Sequence, residues 1–172
     1  MKINYKKQTI LVSIISMLIL SVMVPGGPVE TRDLSYMDKM PIIPLLFNVF
    51  LTTLAIFTLF ILPYFMYRKQ KWAFTASILT GISYILVFAL DLLNIFPSVP
   101  YPMPRLLFFF EIIGLVFGFI LSFWAYKSIK TTKNNYWNTK SSIPKWIKLL
   151  LFVIFLFGVY VVFFSTNAVL NK

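Results

Sequence analysis

The amino-acid sequence predicts an all-α integral membrane protein, a compact bundle of five transmembrane helices that forms one domain over residues 1–172, with its N-terminus inside and its C-terminus outside. Three observations carry this. The chain is 59% hydrophobic and 12% charged, with a mean hydropathy of +0.85, whereas soluble domains run at about 45–50% apolar and 25% charged. Its apolar residues gather in five stretches close to the ~20 residues needed to cross a hydrocarbon core about 30 Å thick. Three quarters of its Lys and Arg residues, twelve of sixteen, fall on one side of those stretches, the bias of cytoplasmic loops.

The first span, residues 9–24, follows Lys2, Lys6 and Lys7 and stops at Pro25, Gly26 and Gly27. A basic start and a short apolar run also describe a secretory signal peptide. Ser21, Val22, Met23 and Val24 hold no small-x-small cleavage pattern, so an uncleaved signal anchor is expected. The outer loop, 25–44, opens with a Pro-Gly-Gly-Pro turn, and Ser35 with Asp38 forms a capping-box pattern for one short surface helix before Pro41. The second span, 45–67, runs to Arg68, Lys69 and Lys71. Pro63 removes a backbone donor near its inner end and is expected to kink it. The third, 72–95, ends before Pro97, Pro100, Pro102 and Pro104, and the fourth covers 106–126. The fifth, 146–165, is the most uniformly apolar and is expected to turn much of its surface, Gly158 included, toward lipid.

Orientation follows from charge. With the N-terminus inside, the inner segments hold Lys2, Lys6, Lys7, Arg68, Lys69, Lys71, Lys127, Lys130, Lys133, Lys140, Lys145 and Lys148, twelve of the sixteen basic residues, and the outer ones only Arg32, Lys39, Arg105 and Lys172. A net charge of +11 in this setting marks a membrane face. The basic inner loop, 127–145, reads KSIKTTKNNYWNTKSSIPK. Its lysines and the rings of Tyr136 and Trp137 are expected to meet anionic headgroups of the lipid bilayer. Aromatics interleaved with lysines also hold single-stranded nucleic acid, but no nucleic-acid fold accompanies them and none is expected as a partner.

All five acidic residues lie toward the outer side: Glu30, Asp33 and Asp38 in the outer loop, Asp91 near the end of the third span, and Glu111 near the start of the fourth. A carboxylate at membrane depth is costly and usually faces protein or water. Asn48 and Asn94 reach a similar depth. On the third span Ala73, Ser77, Thr80, Tyr84, Asp91 and Asn94 share one face. On the fourth, Glu111 shares a face with Gly114, Gly118 and Ser122, a small-xxx-small run that lets helix backbones approach closely. These faces are expected to pack together and bring Asp91 near Glu111. The outer loop would fold over them, so that Arg32 or Lys39, with Arg105, offsets the acids. The expected polar cluster is therefore Asp91, Glu111, Asn48, Asn94, Glu30, Arg32, Asp33 and Arg105.

The chain has no cysteine and no histidine, which removes thiolate and imidazole chemistry together with their metal sites. An intramembrane aspartyl hydrolase would need paired acids sharing a proton, but Asp91 stands in ALDLL without flanking glycine. No enzyme, cofactor or metal is expected. The function expected is an accessory, receptor-like or immunity-type protein that binds a partner or cationic ligand at its outer face, alone or as a homo-oligomer. The alternative is a proton- or cation-coupled small transporter or channel subunit using Asp91 and Glu111. The abundance of Lys, Ile and Asn fits an AT-rich bacterial genome, hence a bacterial plasma membrane.

Overall fold

The structure, a computed structural model, describes residues 4–24, 29, 42–96, 102–132, 136–137 and 144–170. Among them there is helix and no strand: α1 (Tyr5–Val22), α2 (Ile42–Ile56), a π turn (Phe57–Ile61), α3 (Leu62–Tyr67), α4 (Lys71–Leu92), α5 (Arg105–Thr131) and α6 (Lys145–Leu170). With α2, the π turn and α3 counted as one rod, five helices are long and apolar enough to cross a membrane. The basic residues of the described helices, Arg105 apart, gather at one end of the bundle, and Asp91 and Glu111 lie toward the other.

The helices overrun the apolar stretches. α1 starts at Tyr5, where the Asn4 side chain accepts from the Lys7 N–H at 3.3 Å, an N-cap that satisfies one orphan donor. α5 runs on to Thr131 and carries Lys127 and Lys130 on its last turns. Lysine is a good helix former, so a helix need not stop where its apolar run does. α4 does the reverse and ends at Leu92, short of Ile95. Asn94 takes a left-handed φ of 53°, its N–H donates to the Asp91 carbonyl at 2.9 Å, and the Ile95 N–H donates to Leu90 at 2.9 Å. That is a Schellman stop. α3 ends the same way: Lys69 has φ 62°, and Lys69 and Gln70 donate to Met66 and Phe65 at 3.0 and 2.9 Å.

Pro63 acts one turn earlier than a simple kink. The Leu62 N–H donates to the Phe57 carbonyl, five residues back, so the rod widens into a π turn just ahead of the proline. In that register the Thr58 carbonyl would take its bond from residue 63, which has no N–H. Ser13 of α1 supplies the donor instead, its Oγ lying 2.8 Å from the Thr58 carbonyl.

Only part of the packing joins helices adjacent in the chain. α4 and α5 make the closest pair, α1 lies against α5, the π turn and α3, and α6 lies against α2. Along α5 the buried residues are Leu107, Glu111, Gly114, Gly118, Leu121, Ala125 and Ser128, a four–three alternation that keeps one seam inward. α6 exposes most of its apolar surface, but Gly158 is buried where it meets α2, and a Cβ there would lie 2.5 Å from the Ile56 Cδ1.

Candidate functional site

The site is built from the α4–α5 seam upward. Ser122 Oγ donates to the Ile78 carbonyl at 3.3 Å. A Cβ on Gly118 would lie 2.9 Å from the Gly81 carbonyl oxygen, and one on Gly114 would lie 2.4 Å from the Phe88 ring. Moving down α5 from Ser122 to Gly118 to Gly114, the partners move up α4 from Ile78 to Gly81 to Phe88, as antiparallel helices require. One further turn along this register sets Glu111 level with Asp91, both toward the acidic end. Glu111 is only 3% exposed, and Asp91 is half-buried in the last turn of α4.

The remaining expected members separate into distinct positions. Asn48 is buried, and its Nδ2 donates to Thr166 Oγ1 at 3.1 Å, so this amide ties α2 to α6. One residue earlier, the Phe47 ring stacks edge-on against Phe96 at 5.4 Å and brings the start of α2 to the end of α4. Asn94 is exposed and forms the α4 stop described above. Arg105 is exposed on the first residue of α5, about 9 Å of helix rise from Glu111. Glu30, Arg32 and Asp33, and with them Asp38, Lys39 and the expected short surface helix, lie outside the described residues. Val29 does not. It is 3% exposed and belongs to the apolar cluster that contains Leu20, Met23 and Leu107, so the connection from α1 to α2 is held against the acidic end at that point.

The family described as Domain of unknown function (DUF8051) matches residues 5–140. The chain belongs to this family. No curated protein and no solved structure matches it. The DUF8051 segment takes in α1 to α5, and so both Asp91 and Glu111, and ends before α6 begins.

Within that DUF8051 segment lies a second polar group that the charge pattern did not point to. Thr9, Ser13, Ser16, Thr58, Ser77, Thr80 and Ser128 are all buried. Thr9 Oγ1 meets Ser128 Oγ at 3.0 Å between α1 and α5. Ser16 and Ser77 donate back to their own helices at Val12 and Ala73, each at 2.8 Å. Tyr84, fully buried, sets its hydroxyl beside Thr58 without a hydrogen bond of good geometry. Serine and threonine are short enough to lie inside an apolar stretch without lowering its hydropathy much, which is why Ser13 and Ser16 carried no signal. At the basic end, Trp137 stacks on the buried Phe74 at 5.4 Å, and the Tyr136 ring receives the ammonium groups of Lys6 at 3.2 Å and Lys69 at 4.8 Å. Both aromatics of the basic loop thus contact the bundle.

Proposed function

We propose that this DUF8051 protein crosses the plasma membrane of a bacterium five times, N-terminus inside and C-terminus outside, and binds a cationic group at its outer face without catalytic machinery of its own. The cationic group belongs to a protein partner, a basic peptide or an amine, which makes the protein an accessory, receptor-like or immunity-type component, alone or as a homo-oligomer. The observation that carries the reading is Glu111, almost fully buried and level with Asp91 at the end of the bundle where Val29 packs near Leu107. A buried carboxylate with a half-buried one at its level favours cations that reach them, and the basic residues at the other end set the orientation and meet anionic headgroups. The test is a titration of the purified protein with a lysine-rich peptide, read as thermal stability. The melting temperature rises in the parent chain and stays flat in Glu111→Gln and Asp91→Asn. An equal rise in all three contradicts the reading.

One observation favours a second reading, a proton- or cation-coupled transporter using the same acids. The buried hydroxyls of Tyr84, Thr58, Ser13 and Ser16, and of Thr9 with Ser128, begin about two helical turns from Asp91 and lie toward the basic end. Proteoliposomes holding a pH-sensitive dye decide it. Flux that Glu111→Gln abolishes supports transport, and flux no greater than in empty vesicles removes it.

A further inference from the structure

The π turn has a consequence on the side of the rod that faces α6. α6 packs on α2 over its C-terminal half, while its N-terminal half faces the π turn and α3 across a groove of about 90 Å³. Phe60, Ile61 and Phe65 line one wall and Ile147, Leu150 and Ile154 the other. An apolar cavity of about 150 Å³ takes up benzene, so this space suits a few methylenes of one chain and is too small for the ring system of a cofactor.

The mouth of the groove is cationic. Phe60, Ile61, Tyr64 and Phe65 form a stripe along the rod, and Arg68, one turn past Tyr64, continues it. α6 begins at the same level. Its first turn contains no acidic residue, its N-terminal N–H groups favour an anion, and Lys148 is exposed on its flank. Trp146, 65% exposed, stands at the opening with the amphipathic ring that suits a headgroup boundary. An apolar slot below a guanidinium, an ammonium and a helix N-terminus matches one molecule in a bilayer, with an acyl chain beneath a phosphate.

We propose that this groove is a binding site for a single anionic phospholipid of the leaflet at the basic end, with one acyl chain between α3 and α6 and the phosphate at Arg68, Lys148 and the first turn of α6. Guanidinium–phosphate pairing is bidentate and directional, so the site distinguishes anionic from zwitterionic headgroups. The proposal rests on the membrane reading above, which is scored separately by whether the chain sediments with membranes and needs detergent for extraction.

The test is native mass spectrometry of the protein in mild detergent, offered phosphatidylglycerol or phosphatidylcholine with the same acyl chains. One phosphatidylglycerol is retained per chain, with at least about tenfold preference, since each basic residue near the phosphate adds several-fold. Arg68→Gln with Lys148→Gln brings phosphatidylglycerol down to the phosphatidylcholine level at unchanged melting temperature. Leu150→Trp, which fills the groove from a half-exposed position, loses both lipids. Should that variant fold poorly, the charge pair alone carries the test. Equal retention of the two lipids by the parent chain overturns the proposal, as does phosphatidylglycerol retention untouched by the charge pair, or a dimer in which a second copy covers the groove.

Discussion

Among the described residues, two non-glycine residues hold backbone conformations that side chains seldom adopt, and each ends a helix. Lys69 and Asn94 both have positive φ, where glycine carries no Cβ penalty. Lys69→Gly should therefore raise stability by up to about 1 kcal/mol, measured as the unfolding midpoint in detergent, even though it removes one of two ammonium groups over the Tyr136 ring. Asn94→Gly separates the two roles of its residue. If Asn94 matters only as a helix stop, the variant is at least as stable and binds a lysine-rich peptide unchanged, whereas a loss of binding in a folded variant makes its amide part of the site. The amide's polarity at span depth was plain in the sequence. Its backbone role was not, because Asn in a left-handed stop and Asn in a polar cluster are the same letter. Val29 was hidden for a related reason, as one apolar residue within a polar connection.

At the scale of elements, small residues decide how closely helices meet. Gly118→Leu drives a side chain into the Gly81 carbonyl, and Gly81→Leu would place a Cβ 2.6 Å from the Gly118 carbonyl oxygen. Backbone cannot step aside, so each should cost about 3 kcal/mol or more, the upper end for overpacking. Gly158→Leu meets the Ile56 Cδ1, a side-chain tip that can rotate, and should cost about 1–2 kcal/mol. Equal losses in a thermal-unfolding series would contradict the seam described here. The small-xxx-small run on the fourth span was legible because its spacing is local to one helix. The place of Gly158 was not, since an apolar helix facing lipid and one facing α2 read alike. The π turn shows a further limit. Pro63 announces a missing donor, but only the fold reveals that Ser13, forty-five residues away from Thr58, replaces it. Ser13→Ala should cost about 1–2 kcal/mol in the parent chain. In a Pro63→Ala background, where a backbone N–H can reach the same carbonyl, it should cost clearly less. Additive losses in that double-mutant cycle would contradict the coupling.

Across the whole molecule, charge and polarity run along the bundle axis. At the basic end Tyr136 meets Lys6 and Lys69 and Trp137 stacks on Phe74, and the acidic end carries Glu111 level with Asp91, with Val29 packed near Leu107. Five long apolar helices were legible because span length and hydropathy are properties of single segments. The neighbour order, in which α6 touches α2 while α1 lies against α5, depends on contacts that no one segment encodes. The proposed function requires the acidic end to face out, and the chain, having no cysteine, permits that to be read one introduced thiol at a time. In intact cells, an impermeant thiol reagent should label Thr31→Cys and Ser98→Cys, and should label Thr132→Cys only after the membrane is opened. Labelling of Thr132→Cys in intact cells, with Thr31→Cys and Ser98→Cys protected, would contradict it.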